Sequence, residues 1–348
     1  MPQSKKIWLG LSILLALLGG FFKHETKSML MATFIQLRLF SNVYFGWALL
    51  ANGMSGDRPH LNVHIGYFNN LQMKTIWLSR YFSQDQFLFK DWESRVHLQI
   101  LDTVTEQYKE LNLTEASLTT QVPTFQWGDI DRDTFLRDYV QRGFPVIIKG
   151  FPSKAAKVWS SQYFASTYGS HKIEAINTSA IVSVQTTLAD FIRNTENGEP
   201  LYVRSLSDIF DKHKELIDDV GFHTFDDYMS GNYMTSQIFM SNSQKKGSGT
   251  SYHCANFNNL FFQINGRKKW TFVDPQHEAM MYPMFNAKMM DVASFLTTVV
   301  LAQPEVMEKY YPLYKLAPKM EAILEPGDIL MNPPWNWHMV VEYLITLL

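Results

Sequence analysis

The sequence of 348 residues contains a single cysteine, Cys254. An internal disulfide and a cysteine-rich zinc site each need more than one thiol, so both are excluded. Basic residues are not in excess either, because 31 Lys and Arg are balanced by 33 Asp and Glu, which leaves a formal net charge of −2. Nucleic-acid surfaces normally carry a basic excess, so no nucleic-acid partner is expected.

The chain has no internal repeat or low-complexity tract, and uncharged apolar runs are scarce. One such run, residues 7–22, follows Lys5 and Lys6 near the N-terminus. This pattern predicts a signal peptide or a single-pass signal anchor, and therefore a membrane or secretory location. A second apolar stretch, residues 29–51, contains a charge and is not expected to span a membrane. The alternatives are a buried N-terminal helix and a cytoplasmic protein.

Hydrophobic spacing predicts helices first and short strands afterwards. Residues 52–75 read as irregular. Helical patterns cover 92–111, 131–142, 188–194, 208–219 and an insertion at 291–311, whereas strand patterns cover 145–150, 181–185, 200–204, 237–241, 260–264, 269–273, 321–324, 329–331 and 337–343. This order favours a mainly β fold with flanking helices (α+β), a barrel or sandwich, over alternating βαβ units. The predicted organisation is an anchor or signal peptide at 1–30, a helical and irregular region at 31–122, and a β domain at 123–348.

Two segments of the β domain contain residues suited to metal chemistry. Residues 249–275 include His253, and residues 325–338 contain a Pro-Gly-Asp turn and end at His338. A non-haem Fe(II) site takes two histidines and one carboxylate on one face of the metal. Residues two apart on a strand point the same way, so a His-x-Asp segment provides two ligands and a distant strand provides the second histidine.

These motifs, together with residues 125–127 and 144–150, resemble the JmjC and cupin-like family of Fe(II)- and 2-oxoglutarate-dependent oxygenases. The resemblance covers about residue 123 to the C-terminus and implies a double-stranded β-helix, or jelly roll. It also implies oxygenase activity of the hydroxylase type, with Fe(II) and 2-oxoglutarate as cofactors.

Carried over by position, the resemblance makes His253 and His338 the iron ligands. Thr250 and Lys268 match positions that hold the distal carboxylate of 2-oxoglutarate, where a lysine and a hydroxyl both donate hydrogen bonds. Asn259 matches a polar position near the metal. The alternative interpretation is two histidines satisfied within the core, with Lys268 exposed in a turn.

The sequence departs from the family where Ala255 replaces the acid of His-x-Asp. Cys254 and Asn256 are expected on the opposite strand face, and Asn336 is a poor ligand because its amide is neutral. Three outcomes remain open: an oxygenase with a two-histidine iron site, a halide-binding halogenase-type site, and a catalytically inactive binding module on a membrane.

Other candidates are expected to have structural roles. One of Trp335 and Trp337 is predicted to fill the core, because neighbouring side chains alternate between strand faces. The scattered histidines, namely His60, His64, His223 and His277, read as surface or loop residues. The substrate, a protein side chain or a small molecule, is left open.

Overall fold

The structure is a computed structural model that describes residues 63–83, 85, 87–180, 182–221, 224, 236–241, 249–255, 258–284 and 292–343. These residues form two compact units. The first contains 63–113, 282–284 and 292, and the second contains 114–281 and 293–343. The predicted N-terminal anchor and the apolar stretch at 29–51 lie outside the described residues. Within the described ranges, no helix combines the length and hydropathy needed to cross a bilayer.

The first unit is built mainly from two helices, α1 (Tyr67–Ser83) and α2 (Lys90–Glu110). In α2, apolar side chains at helical spacing are buried, which confirms the helix predicted at 92–111. A bidentate ion pair joins the two helices, with Arg80 nitrogens 2.7 Å from both carboxylate oxygens of Glu93.

The prediction of irregular structure at 52–75 was wrong from Tyr67 onward. Helix α1 begins there, and it buries Met73, Ile76 and Trp77, which are spaced to lie on one helical face. Gly66, with φ +85°, directly precedes the helix. The glycine and asparagine content of this stretch concealed that apolar face.

The remaining helices are short and flank the strands. They are α3 (Arg132–Phe135), α4 (Ala155–Val158), α5 (Ser161–Thr167), α6 (Leu188–Glu196), α7 (Asp208–Lys212), α8 (Glu215–Val220), α9 (Thr298–Leu301) and α10 (Pro304–Tyr310). A π-helical turn, Leu136–Val140, continues α3, and 3-10 turns cover Glu115–Leu118, Pro275–Met281 and Pro312–Leu316.

The strands are β1 (Thr119–Gln121), β2 (Thr124–Gln126), β3 (Val146–Lys149), β4 (Lys172–Asn177), β5 (Val182–Thr187), β6 (Leu201–Leu206), β7 (Ile238–Ser241), β8 (Gly249–Cys254), β9 (Asn259–Phe262), β10 (Arg267–Val273), β11 (Pro283–Met284), β12 (Val292–Ser294), β13 (Lys319–Leu324), β14 (Ile329–Asn332) and β15 (Trp337–Tyr343). In the second unit, the first sheet runs β1-β13-β10-β15-β8, the second β2-β3-β14-β9 and the third β5-β4-β6-β7. Most pairs are antiparallel, whereas β1 and β2 pair in parallel with β13 and β3.

The first and second sheets pack face to face and position the site between them. The aromatic contact of Phe261 on β9 with Trp270 on β10, at 5.0 Å between ring centroids, crosses from one sheet to the other. The opposite face of the second sheet packs Ile148 and Met331 against Phe135 of α3. The strands of this sheet therefore have one face towards the site and one towards an apolar core, as in a jelly roll with flanking helices.

The third sheet packs against α6 and has its own apolar core, which includes Ile173, Phe191 and Val203. Strand β4 of this sheet was not predicted. Its sequence, Lys-Ile-Glu-Ala-Ile-Asn, is weakly apolar, and only Ile173 and Ala175 of its inner face are fully buried.

Two helical predictions were too long. The insertion at 291–311 begins as strand β12 and contains two short helices, because Thr297 caps α9 and Pro304 opens a separate helix, α10. Asp131 accepts a hydrogen bond from the Thr134 backbone, as its predicted cap role requires, but regular α-helix ends at Phe135.

Candidate metal centre

The two histidines predicted as ligands lie directly opposite each other on adjacent antiparallel strands. His253 of β8 is in register with His338 of β15. Their ring centroids are 4.2 Å apart and the ring planes meet at 54°. Residues 85 positions apart in the chain are therefore brought together by strand pairing, at a spacing at which both rings can contact one ion.

Each imidazole is oriented by a carbonyl two residues before it. The Nδ1 atom of His253 lies 2.9 Å from the Ser251 carbonyl oxygen, and that of His338 lies 2.9 Å from the Asn336 carbonyl oxygen. An Nδ1–H that donates to a carbonyl leaves the lone pair on Nε2, which is the arrangement a metal-binding histidine needs. This tautomer is assigned from the hydrogen bonds.

His338 is deeply buried, with 5% of its surface exposed. Burial lowers its pKa to about 3, and the nearby His253 contributes to the decrease. Trp270 stacks on it with ring centroids 5.4 Å apart. His338 is consequently neutral at physiological pH, with an unprotonated nitrogen available to a cation.

A β-bulge places Thr250 on the same strand face as His253. His338 pairs with His253. Val340 comes two residues after His338, but its partner Thr250 comes three residues before His253. The extra residue reverses the normal alternation. Ser251 and Tyr252 both turn outward, since the Ser251 hydroxyl accepts from the Thr298 backbone and the Tyr252 hydroxyl lies 3.1 Å from that of Tyr314.

Lys268 shares a strand face with the aromatic residues beside His338. On β10, Phe272 is opposite His338, Trp270 is opposite Val340, and Lys268 is two residues further along. The Lys268 ammonium lies 5.2 Å from the centroid of the Phe261 ring, on the facing sheet. Each two-residue step along a strand is about 7 Å. Thr250 is thus one step, and Lys268 two steps, from the histidine pair.

Asn259 lies on the inner face of the second sheet, where it pairs with Asn332 of β14. The Asn332 amide nitrogen is 3.4 Å from both ring nitrogens of His338. The structure therefore brings together Thr250, His253, Asn259, Lys268 and His338, all five of the predicted site residues, on inward faces of the two sheets. Their assigned roles remain predictions.

Ala255 follows His253 by two residues, and its methyl group offers no ligand. Its carbonyl oxygen accepts a hydrogen bond from the Trp335 backbone at 2.7 Å. In the described part of the chain, no group of three or more His, Cys, Asp or Glu side chains is arranged to hold a metal. Cys254 is buried and on the opposite face from His253, as expected. The Asn336 amide donates to the Gly143 carbonyl.

The remaining predictions had mixed outcomes. Trp337 is fully buried and Trp335 only partly, so one tryptophan fills the core as expected. His64 is exposed, but the prediction for His277 was wrong, because it lies in a 3-10 turn and is fully buried. His60, His223 and Asn256 lie outside the described residues.

Sequence reasoning missed Asn332 and Trp270, which contact His338 directly. A detectable signal existed for Asn332, since it is the polar residue that ends an otherwise apolar strand, Ile-Leu-Met-Asn. For Trp270 the register of β10 against β15 was needed, and the sequence does not show that register.

Residues 132–347 match the family described as a cupin-like domain. The chain belongs to this family. It is 25% identical over 251 residues to tRNA wybutosine-synthesizing protein 5 of Gallus gallus, covering 64% of this chain and 73% of that protein. It is 33% identical over 95 residues to JmjC domain-containing protein D of Dictyostelium discoideum, covering 27% of this chain and 20% of that protein.

A further similarity is to HSPB1-associated protein 1 of Homo sapiens, at 30% identity over 90 residues, 26% of this chain and 17% of that protein. The chain thus spans only about a fifth of these two longer relatives. Together with the family match, they confirm the JmjC and cupin-like resemblance and the jelly-roll fold. The family match and these relatives place this chain in an oxygenase-like family.

The donors present fit a ferrous ion held by two imidazoles, because both rings are oriented and His338 is neutral. They fit a dicarboxylate co-substrate as well, since Thr250 and Lys268 follow the same inner face away from the histidines. The carboxylate that completes the usual set of two histidines and one acid is not supplied at position 255.

Proposed function

We propose that this protein is an Fe(II)- and 2-oxoglutarate-dependent oxygenase that hydroxylates its substrate. The observation that supports this most strongly is the pairing of His253 with His338, at 4.2 Å between ring centroids, inside a cupin-like fold. When bound, Fe(II) and 2-oxoglutarate would supply the oxidising chemistry of the hydroxylation.

The protein's own residues would hold and orient the cofactors. His253 and His338 would hold the metal through their Nε2 atoms, while the Ser251 and Asn336 carbonyls keep both rings from rotating. Lys268 would donate charge-assisted hydrogen bonds to the distal carboxylate of 2-oxoglutarate, and Thr250 would add a hydroxyl donor.

Aromatic side chains line the inner face between the metal ligands and Lys268. Trp270 and Phe261 contact each other across the two sheets, and Trp270 also stacks on His338. A low-polarity wall of this kind strengthens the ionic contact of Lys268 with a carboxylate, because water competes less for both groups.

An anaerobic titration tests the proposal. Fe(II) and 2-oxoglutarate added together to the full chain should produce the weak visible charge-transfer band of a ternary complex, and oxygen should then release succinate. The matched control is His253→Ala, which removes one imidazole on the inner face. If the wild-type protein shows no band, and its succinate release equals that of His253→Ala, the enzyme proposal is wrong.

The other outcomes identify the rival functions. A band whose energy changes with added chloride supports the halogenase-type site, because Ala255 leaves room beside the metal for a halide. Metal binding without succinate release supports an inactive binding module. Lys268→Met should weaken 2-oxoglutarate binding by tenfold or more while Fe(II) binding is retained, since only the ammonium group is lost.

For the substrate, we propose a protein side chain or a small molecule. The Gallus gallus relative is named for the synthesis of a tRNA nucleoside, but the present chain has a net charge of −2 and so lacks the basic excess typical of tRNA-binding proteins. Succinate release can be measured with bulk tRNA, with peptide pools and with metabolite pools. Release that is stimulated by tRNA but by none of the other pools would contradict this choice.

A further inference from the structure

We propose that Asn332 is the third protein ligand of the metal, binding it through the carboxamide oxygen in place of the acid that Ala255 does not supply. The inference rests on the proposed metal binding by His253 and His338. It assigns a ligand on β14, a strand of the opposite sheet, to a site whose histidines both come from the first sheet.

The position of Asn332 is the first argument. Its amide nitrogen lies 3.4 Å from Nδ1 and 3.4 Å from Nε2 of His338, so the end of its side chain already contacts the ligand ring. Two donors that bind one ion at roughly 2.1 Å each, at ordinary coordination angles, lie about 3.0–3.4 Å apart. The amide of Asn332 and the ring of His338 have this separation.

The second argument is an unsatisfied polar atom. Asn332 is 4% exposed, and its Oδ1 has no hydrogen-bond partner among the described residues. A buried amide oxygen without a partner costs free energy, so such atoms require an explanation. Rotating the amide by half a turn exchanges its oxygen and nitrogen, and the oxygen then lies about 3.4 Å from Nε2, a separation that one shared cation can bridge.

The chemical setting is the third argument. The other residues of β14, Ile329 to Met331, are apolar and buried, so Asn332 is a polar group within an apolar strand. A carboxamide oxygen can ligate a divalent cation, although more weakly than a carboxylate because it is neutral, so Asn332 would be a weaker substitute for the missing acid. A neutral third ligand leaves the centre one unit more positive than an acid would, which favours a bound dicarboxylate co-substrate.

The test is anaerobic calorimetric titration of the full metal-free chain with cobalt(II) as the probe, together with the cobalt absorption spectrum. Asn332→Leu, which keeps approximate volume, should weaken binding by tenfold or more and change the intensity of the cobalt bands. Asn332→Asp should tighten binding by tenfold or more, because it replaces a neutral oxygen with an anionic one. Gln263→Leu is the matched control, because it removes another buried side-chain amide, whose nitrogen donates to the Asn265 and Gly266 carbonyls, and its cobalt affinity should equal the wild type.

The outcomes separate the two proposals. Wild-type binding that is lost in His253→Ala but unchanged in Asn332→Leu overturns the role of Asn332 alone. A wild-type protein that binds no cobalt and no Fe(II) overturns the proposed function as well. Asn332→Leu could be less stable than the wild type even without metal. In that case, the comparison is the rise in melting temperature that cobalt causes in Asn332→Asp and in the wild type. A rise in Asn332→Asp no larger than the wild-type rise overturns the proposal.

Discussion

At the residue scale, the neutral state of His338 follows from its surroundings. The ring is buried against Trp270, and protonation would place a cation in this desolvated site beside His253. Its pKa of about 3 in the folded protein lies below the value near 6.5 expected in the unfolded chain.

This difference predicts a pH dependence of stability for the metal-free protein. Between pH 6.5 and about 3 the unfolded chain binds a proton that the folded chain does not. The free energy of unfolding should therefore fall as the pH decreases through this window, by at most about 1.4 kcal/mol per pH unit from this group. Urea unfolding at several pH values measures it, and His338→Gln should show a smaller slope. Equal slopes would contradict the buried, neutral assignment.

Ala255 offers a second prediction at this scale. Ala255→Asp places a carboxylate two residues from His253, on the same strand face, so Fe(II) affinity should increase by tenfold or more. Ala255→Asn, of nearly equal size but uncharged, should produce a smaller increase. Calorimetric titration distinguishes them, and an unchanged affinity in Ala255→Asp would mean that the two histidines do not hold a metal.

At the element scale, the bulge in β8 decides which side chains face the interior. Without the extra residue, strict alternation would turn Thr250 outward and place Ser251 on the inward face with His253. The strand stays paired through Gly249, which has φ +154° and lies so close to β15 that an added Cβ would be 2.0 Å from the Val340 carbonyl oxygen.

Gly249→Ala should consequently disturb both stability and the site. We expect a loss of about 1–3 kcal/mol from the backbone conformation alone, with weaker metal affinity as β8 shifts against β15. Gly198→Ala is the control, because Gly198 also has a positive φ (+89°) but an added Cβ would meet no atom within 4 Å. Thermal unfolding and metal titration compare them. Equal losses and unchanged metal affinity in both variants would contradict this account.

Element prediction succeeded where one face of a strand or helix is consistently apolar. Strands β10, β14 and β15 were predicted because their buried residues form compact hydrophobic runs, and α2 because its apolar residues recur at helical spacing. The bulge was not predictable, since it exists only in the pairing of β8 with β15. The contact of Asn332 with His338 required the packing of two sheets.

At the scale of the whole molecule, the motifs quoted from the sequence were sufficient to predict the family and the jelly roll. The family match covers His253, Lys268 and His338, and their roles as ligands stay predictions. The family pattern could not indicate which residue replaces the acid missing at Ala255. The proposed substitute, Asn332, comes from β14, whose other residues are apolar and buried.

The predicted N-terminal anchor concerns the chain as a whole. If residues 7–22 anchor it, carbonate extraction should leave the full-length protein in the membrane pellet, whereas a variant lacking residues 1–30 should appear in the supernatant. Intact mass distinguishes a cleaved leader, which would give a shortened product in the supernatant. Full-length protein in the supernatant would contradict both forms of the prediction.

We propose that His253 and His338 bind one metal ion between the two sheets. Anomalous diffraction from crystals grown with cobalt(II) measures this most directly. We predict a single strong peak within about 2.1–2.3 Å of an imidazole nitrogen of both residues, which disappears in His253→Ala crystals. A structure with no peak there, or with the two rings turned away from each other, would contradict the account.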